Sequence, residues 1–269
     1  MEGLHLKNNK TALITGCTSG IGKALSVKFA QEGYNLILVA RNEDQLKELS
    51  NYLSQTFHIK SVFIVYGLEK PEAAEYVFHR VQELGLKVDV LVNNAGFNEF
   101  GNFMKTSREK EHEMMYLHMF FVTDMMKLFL PFMLGNKQGQ VLNVGSTGSY
   151  ISCPYDAVYA ATKSYILSVS KGINAELKGT GVTITTLCPG STKTEFAAKA
   201  GMEDTLLFKL FVMSPERVAD IAYKALRKRK TVVVAGIYNK ILVMSSYFLP
   251  DRFVDYISKM MLGNQRYVG

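Results

Sequence analysis

The chain has 269 residues, 48% of them apolar, which is ample for a large buried core. Lys and Arg number 31 against 24 acidic residues, a net charge of +7, yet they are scattered, and scattered charge argues against a nucleic-acid surface. The three cysteines, Cys17, Cys153 and Cys188, have neither metal-ligand spacing nor a disulfide framework, and they read as reduced thiols of a cytoplasmic protein.

Met1 to Lys10 is polar and lacks the apolar core of a signal peptide. No apolar run approaches the roughly 20 residues that span a bilayer. No linker, composition break or repeat divides the chain, so the expectation is one domain over 1–269, with 236–269 as a helical tail.

Lys10 to Thr15 opens with an apolar strand and leads into a glycine-rich turn. A helix follows, with Leu25, Phe29 and Ala30 on its buried side, and then a second apolar strand over Asn35–Ala40. Asn42 can cap the next helix, whose Leu46, Leu49 and Leu53 recur at helical spacing. Further strands are expected at Ser61–Tyr66, Val88–Val92, Gln140–Val144, Thr183–Leu187 and Thr231–Ala235, with helices over Glu72–Leu84 and Arg108–Met133 between them. Ser214-Pro215-Glu216 is a helix start, with a cap and a proline in the first turn. The dense run Arg227-Lys228-Arg229-Lys230 falls where that helix should end, and it suits the helix dipole. Repeated strand–helix–strand units imply an α/β fold: a Rossmann-type, doubly wound, mainly parallel sheet of seven strands with helices on both faces. Its working residues then lie at the carboxyl ends of the strands.

Gly16-Cys17-Thr18-Ser19-Gly20-Ile21-Gly22 sits between the first strand and the first helix. Glycine serves where the chain turns sharply and where a pyrophosphate must come close to the backbone, and the helix start offers unpaired N–H groups to the phosphates. The spacing Gly-x-x-x-Gly-x-Gly resembles the short-chain dehydrogenase/reductase family, in its compact single-domain branch. The resemblance runs from Lys10 to about Ala235 and includes Asn93-Asn94-Ala95-Gly96 after the fourth strand. It implies a structural and ribose-side role for Asn94, Ala95 and Gly96. It also places Pro189, Gly190, Thr192 and Thr194 beside the nicotinamide and pyrophosphate, and it implies a dimer or tetramer.

An NAD-selective site usually ends its second strand with an acid that binds the ribose hydroxyls. Here Ala40 holds that place and Arg41 follows. A guanidinium can grip a 2′-phosphate through paired hydrogen bonds, and Ser19 can add a hydroxyl, so the expected cofactor is NADP(H). Gly67-Leu68 replaces the acid that the resemblance implies beside adenine, which leaves a backbone contact from Leu68.

Tyr159-Ala160-Ala161-Thr162-Lys163 places a phenol and an ammonium four residues apart, on one helix face. A free tyrosine, with a pKa of about 10, is a poor base near neutrality. A cation about 4 Å away contributes roughly 4 kcal/mol at an effective dielectric of 20, which predicts a markedly more acidic phenol suited to acid/base work. Ser146 resembles the family's catalytic serine, which hydrogen-bonds the substrate oxygen, and Lys163 also holds the nicotinamide ribose by the same resemblance. Counting back from Leu130-Pro131, His118 stands where many relatives carry a catalytic asparagine. It is either a member of a proton relay or a packed helix histidine.

Phe97, Asn98, Thr147 to Tyr155 and the apolar segment Glu195–Met213 are expected to face the substrate, the last as a lid or as packing between helices. The tail over Lys240–Leu262 is amphipathic and suits a pocket cover, a subunit interface or a membrane surface. The function expected is reduction of a hydrophobic ketone or aldehyde, or oxidation of the matching secondary alcohol. A 3-oxoacyl thioester reductase and a hydroxysteroid dehydrogenase are alternatives, and an NADP(H)-binding sensor without turnover is the reading from a different class.

Overall fold

The computed structural model describes residues 10–210 and 212–263. The expectation for the polar start therefore falls almost wholly outside the described residues, as does the last part of the tail.

Seven strands form one parallel sheet: β1 (Thr11–Thr15), β2 (Asn35–Ala40), β3 (Ser61–Val65), β4 (Val90–Asn93), β5 (Gly139–Val144), β6 (Val182–Cys188) and β7 (Val232–Val234). Their order across the sheet is β3-β2-β1-β4-β5-β6-β7. The chain starts in the middle, winds outward to β3, then crosses back to β4 on the other side of β1. The register pairs Leu13 with Ile37 on one side and with Leu91 on the other. That reversal opens a crevice at the carboxyl ends of β1 and β4, where a doubly wound sheet binds its ligands.

Strands covered on both faces are apolar along their whole length, and every residue of β1 is buried. One face packs Leu25, Phe29, Leu46, Leu53, Val218 and Ala222 from the helices Gly20–Gln31, Glu43–Phe57 and Pro215–Arg227. The other packs Val77, Phe121, Met125, Phe129 and Ile166 from Ala73–Glu83, the long helix Arg108–Gly135, and Ala157–Glu176. Local signals start these helices as expected. Asn42 Oδ1 accepts from the Gln45 amide at 2.9 Å, and Ser214 Oγ accepts from the Arg217 amide at 3.3 Å.

Two features of the long helix were not foreseen. Arg108–Gly135 is 28 residues long and apolar enough, by length and composition, to cross a membrane. Its Leu117, Phe121, Met125, Met126 and Phe129 are buried in the core against the sheet, so it is a core helix; the apolar stretch escaped notice because polar residues punctuate it. The same helix is interrupted by a π-helical stretch over Tyr116–Phe121, which no residue pattern announced.

Candidate active site

The first strand delivers Gly16 to the crevice, and the helix Gly20–Gln31 begins directly after the loop. A Cβ on Gly22 would lie 2.1 Å from the Gly16 carbonyl oxygen, so no larger residue fits where the loop folds onto its helix. Ser19 is the N-cap residue, and its side chain makes no cap hydrogen bond. The helix N-terminus therefore retains backbone donors for an anion. Thr18 and Ile21 flank it, Ile21 packed on the core beneath.

The resemblance had implied a structural role for Asn94; the part of Thr15 in holding this loop was missed. Thr15 Oγ1 donates to the Val92 carbonyl at 3.2 Å and accepts from the amides of Asn94 and Ala95 at 3.0 and 3.1 Å. The Asn94 side chain donates to the carbonyls of Thr15 and Gly16 at 2.9 and 3.0 Å. Asn94 thus clasps β1 to β4 and sets the loop's position. Across the crevice, Thr194 stands against Gly20. Thr194 caps the short helix Glu195–Lys199, its Oγ1 accepting from the Phe196 amide at 3.3 Å. The Thr147 amide donates to the Pro189 carbonyl at 2.8 Å, and Thr192 Oγ1 donates to the Gly190 carbonyl at 3.0 Å. These contacts bring the two ends of the expected cofactor cradle together.

Arg41 projects from the end of β2 with its side chain 73% exposed, and its nearest acid is Glu69 at 4.0 Å. Glu69 follows the buried Leu68 and was overlooked in the sequence. At 4.0 Å and near the surface the pair is weak, and the guanidinium stays available to an anion.

Ser146, at the end of β5, caps the turn Thr147–Ser149, accepting from the Gly148 amide at 3.1 Å. Its side chain lies near the Tyr159 phenol and favours the ionised form of that phenol. The Lys163 amine is buried and donates to the Val144 carbonyl at 3.0 Å, 5.5 Å from the centre of the Tyr159 ring. The expected acidic phenol is not what this arrangement produces. Loss of solvation, with the Asp156 carboxyl and the Cys153 thiol nearby, pushes Tyr159 above its ordinary value. Burial likewise pulls Lys163 down to about 8. The helix is packed, so desolvation outweighs a cation whose amine is turned to a carbonyl. The phenol therefore holds its proton, which suits a group that donates one.

His118 is fully buried within the π-helical stretch. Its Nδ1 is 2.9 Å from Thr162 Oγ1, its ring is 5.7 Å from that of Tyr159, and Nε2 has no partner. A Cβ on Gly96 would lie 2.6 Å from that nitrogen, so Gly96 sits on the imidazole. Burial and the Lys163 charge hold His118 well below its usual range, hence neutral. The π turn is what brings this ring to the back of the tyrosine.

The segment after Thr194 folds over the site. Phe196 lies 5.8 Å from the Tyr159 ring, and Ala197 and Met202 join Phe100, Cys153, Ala160 and Leu262 in an apolar cluster. A cavity of about 760 Å³ lies on the far side of the Ala157–Glu176 helix, lined by Ala157, Ala161, Ser164, Arg252, Tyr256 and Lys259. At about 100° per residue those small residues are nearly opposite Tyr159 and Lys163, so that cavity is separate from the chemistry. Among the described residues no group of His, Cys, Asp and Glu is arranged for a metal ion.

A glycine cradle at a helix start, on the crevice of a β3-β2-β1-β4-β5-β6-β7 sheet, beside a serine, a tyrosine and a lysine, defines a nicotinamide-dependent oxidoreductase of Rossmann type. The sequence model described as short chain dehydrogenase matches residues 10–204, and the chain belongs to the short-chain dehydrogenase/reductase family. It is 30% identical over 243 residues to the 7beta-hydroxysteroid dehydrogenase of Collinsella aerofaciens, covering 88% of this chain and 90% of that one. It is 35% identical over 216 residues to the uncharacterized oxidoreductase YvrD of Bacillus subtilis, covering 76% and 79%. A short-chain dehydrogenase from Sphingobium yanoikuyae, solved in complex with NADPH, superposes with a TM-score of 0.80 at 26% identity, over 89% of this chain and 93% of that one.

Proposed function

We propose that the protein is an NADP(H)-dependent oxidoreductase that interconverts a ketone or aldehyde with the alcohol of a hydrophobic substrate. The observation that carries this reading is the convergence of Ser146, Tyr159 and Lys163 beside the crevice. Gly16, Thr18, Ser19, Gly20, Ile21 and Gly22 would hold the pyrophosphate. Arg41 would hold the 2′-phosphate, Leu68 the adenine side, and Ala95, Gly96, Pro189, Gly190, Thr192 and Thr194 the rest. Asn94 acts through the loop it clasps.

When bound, the cofactor supplies or accepts a hydride. Tyr159 donates its proton to the carbonyl oxygen as that oxygen gains charge, and Ser146 hydrogen-bonds the same oxygen. The cationic form of Lys163 stabilises the phenolate left behind. Neutral His118 is a positioning group behind Tyr159, held by Thr162, whose hydroxyl donates to the Tyr159 carbonyl at 2.7 Å. The apolar lid around Phe196 and Met202, together with a relative that acts on a hydroxysteroid, supports a bulky apolar substrate. Three buried free thiols support a reducing, cytoplasmic setting. Exposed Phe120 and Phe132 support a second copy of the chain as a partner.

The test is NADPH oxidation against ketones and aldehydes, repeated with NADH and with Arg41→Ala. Arg41→Ala should raise KM for NADPH by about ten- to a hundredfold, the worth of one charged hydrogen-bonding group, and leave KM for NADH nearly unchanged. Equal effects on both would remove the 2′-phosphate assignment, and no turnover with any carbonyl would remove the activity.

A further inference from the structure

Two side chains next to the tyrosine carry polar atoms that the protein itself does not satisfy. Asn98, in the loop after β4, and Asp156, directly before the helix Ala157–Glu176, are each 7% exposed. Neither Asn98 Oδ1 nor Asp156 Oδ1 has a hydrogen-bond partner. The Asn98 amide donates to Met202 Sδ at 3.2 Å, a thioether and so a weak acceptor. The Asn98 side chain lies beside the Asp156 carboxyl and tempers the rise in its pKa. Buried polar atoms are nearly always paired, and those that are not call for an explanation.

The surroundings say what the missing partner is. Asp156 stands three residues before Tyr159, about one helical turn, so the pair adjoins the phenol. Three other elements bring groups against it: Asn98 from the β4 loop, Cys153 from the loop before the helix, and Tyr159 from the helix itself. The Cys153 carbonyl accepts from the Asp156 amide at 3.0 Å. Burial pushes the Asp156 carboxyl up to about 8, so at neutral pH it carries a proton. The unpaired atoms are then an amide oxygen, which only accepts, and part of a carboxylic acid, which can donate. A hydroxyl, which both donates and accepts, complements them. A carboxylate would meet an acceptor, and an ammonium would require an ionised acid among apolar neighbours.

We infer that Asn98 and Asp156 form a hydroxyl-recognition pair, and that the preferred substrates carry a hydroxyl close to the reacting carbonyl. On binding, that hydroxyl lies between the two unpaired oxygens, donating to Asn98 Oδ1 and accepting from Asp156. The inference rests on the carbonyl-reductase reading and adds a substrate class to it: hydroxyketones in reduction and diols in oxidation.

The experiment measures kcat/KM with NADPH for simple ketones and for matched ketones with one hydroxyl placed one, two or three carbons from the carbonyl. For the wild-type protein, at least one hydroxylated member should exceed its parent by about tenfold or more, because a site built to bond a hydroxyl rejects the analogue without it. In Asn98→Leu/Asp156→Leu the ratio should fall to about one, with the hydroxylated member losing more than the parent. The wild-type ratio needs no variant, so it stands even if the double variant does not fold. Parent ketones reduced with no preference at any position, or a preference that survives the double variant, overturns the pair while leaving the reductase reading intact. Protein that binds NADPH yet reduces no member overturns both.

Discussion

The helix Ala157–Glu176 and the tail helix Asp251–Leu262, which follows the tail helix Ile237–Ser246, lie on either side of the cavity behind the candidate site. They depart from the usual partition of polar and apolar groups in opposite senses. The first buries what normally seeks water: Lys163 within it and Asp156 at its start. The tail exposes what normally avoids water. Ile237, Ile241, Met244 and Phe248 fall on one outward stripe, and Phe253, Tyr256 and Met260 on another. Buried charge marks a place where a ligand or a proton is handled. A large exposed apolar face marks a place where another surface is met. The two departures therefore point opposite ways: buried polar groups inward, an exposed apolar face outward.

The comparison is sharpest at Tyr159. Tyr159→Phe should lower kcat by about a hundred- to ten-thousandfold, the span of general acid catalysis, while fluorescence titration shows NADPH binding nearly unchanged. Retained turnover would place the proton donor elsewhere.

Lys163 gives the next effect. Its folded value of about 8 lies below the ordinary 10.5, so between those values the unfolded chain holds more protons than the folded one. Stability from this group is then lowest below pH 8 and rises toward 10.5. Denaturant unfolding should show wild type gaining on Lys163→Met by on the order of 3 kcal/mol across that window. In the proposed mechanism the cation is the working form, so kcat/KM for reduction should decline above about pH 8. A flat stability difference would mean that the amine is not desolvated.

The smallest effect belongs to the tail. Phe248, 80% exposed, contributes little to the isolated fold. In dilute protein, Phe248→Ser should change unfolding free energy by no more than about 0.5 kcal/mol and reduce binding of a hydrophobic dye. A large loss of stability would show that this face is already covered in solution, ending the contrast with the catalytic helix.

Most of the sheet was legible because parallel strands covered on both faces are apolar throughout, as in Leu36–Ala40. The candidate site was legible as a pattern because few residue types suit such chemistry: Gly16 to Gly22, Ser146, Tyr159 and Lys163 stand out by type and spacing. The Tyr159 proton balance was not, since proximity of Lys163 is written in the sequence but loss of water around both is a property of packing. Thr15 and the unpaired Asn98–Asp156 atoms were equally hidden, because their partners lie 77 to 80 residues away or are missing altogether. The π stretch at His118 is a backbone choice that carries no residue signature.

The tail has one further tie. Asn239 donates to the Ala235 carbonyl at 2.6 Å, and its amide group sits where a Cβ on Gly190 would fall 2.3 Å from it. The strip of chain that follows the sheet is thus the backing plate of the Pro189–Gly190 turn. Cutting the protein after Gly236 would take away the support behind this turn, so the outward-facing appendage and the candidate site are parts of one piece.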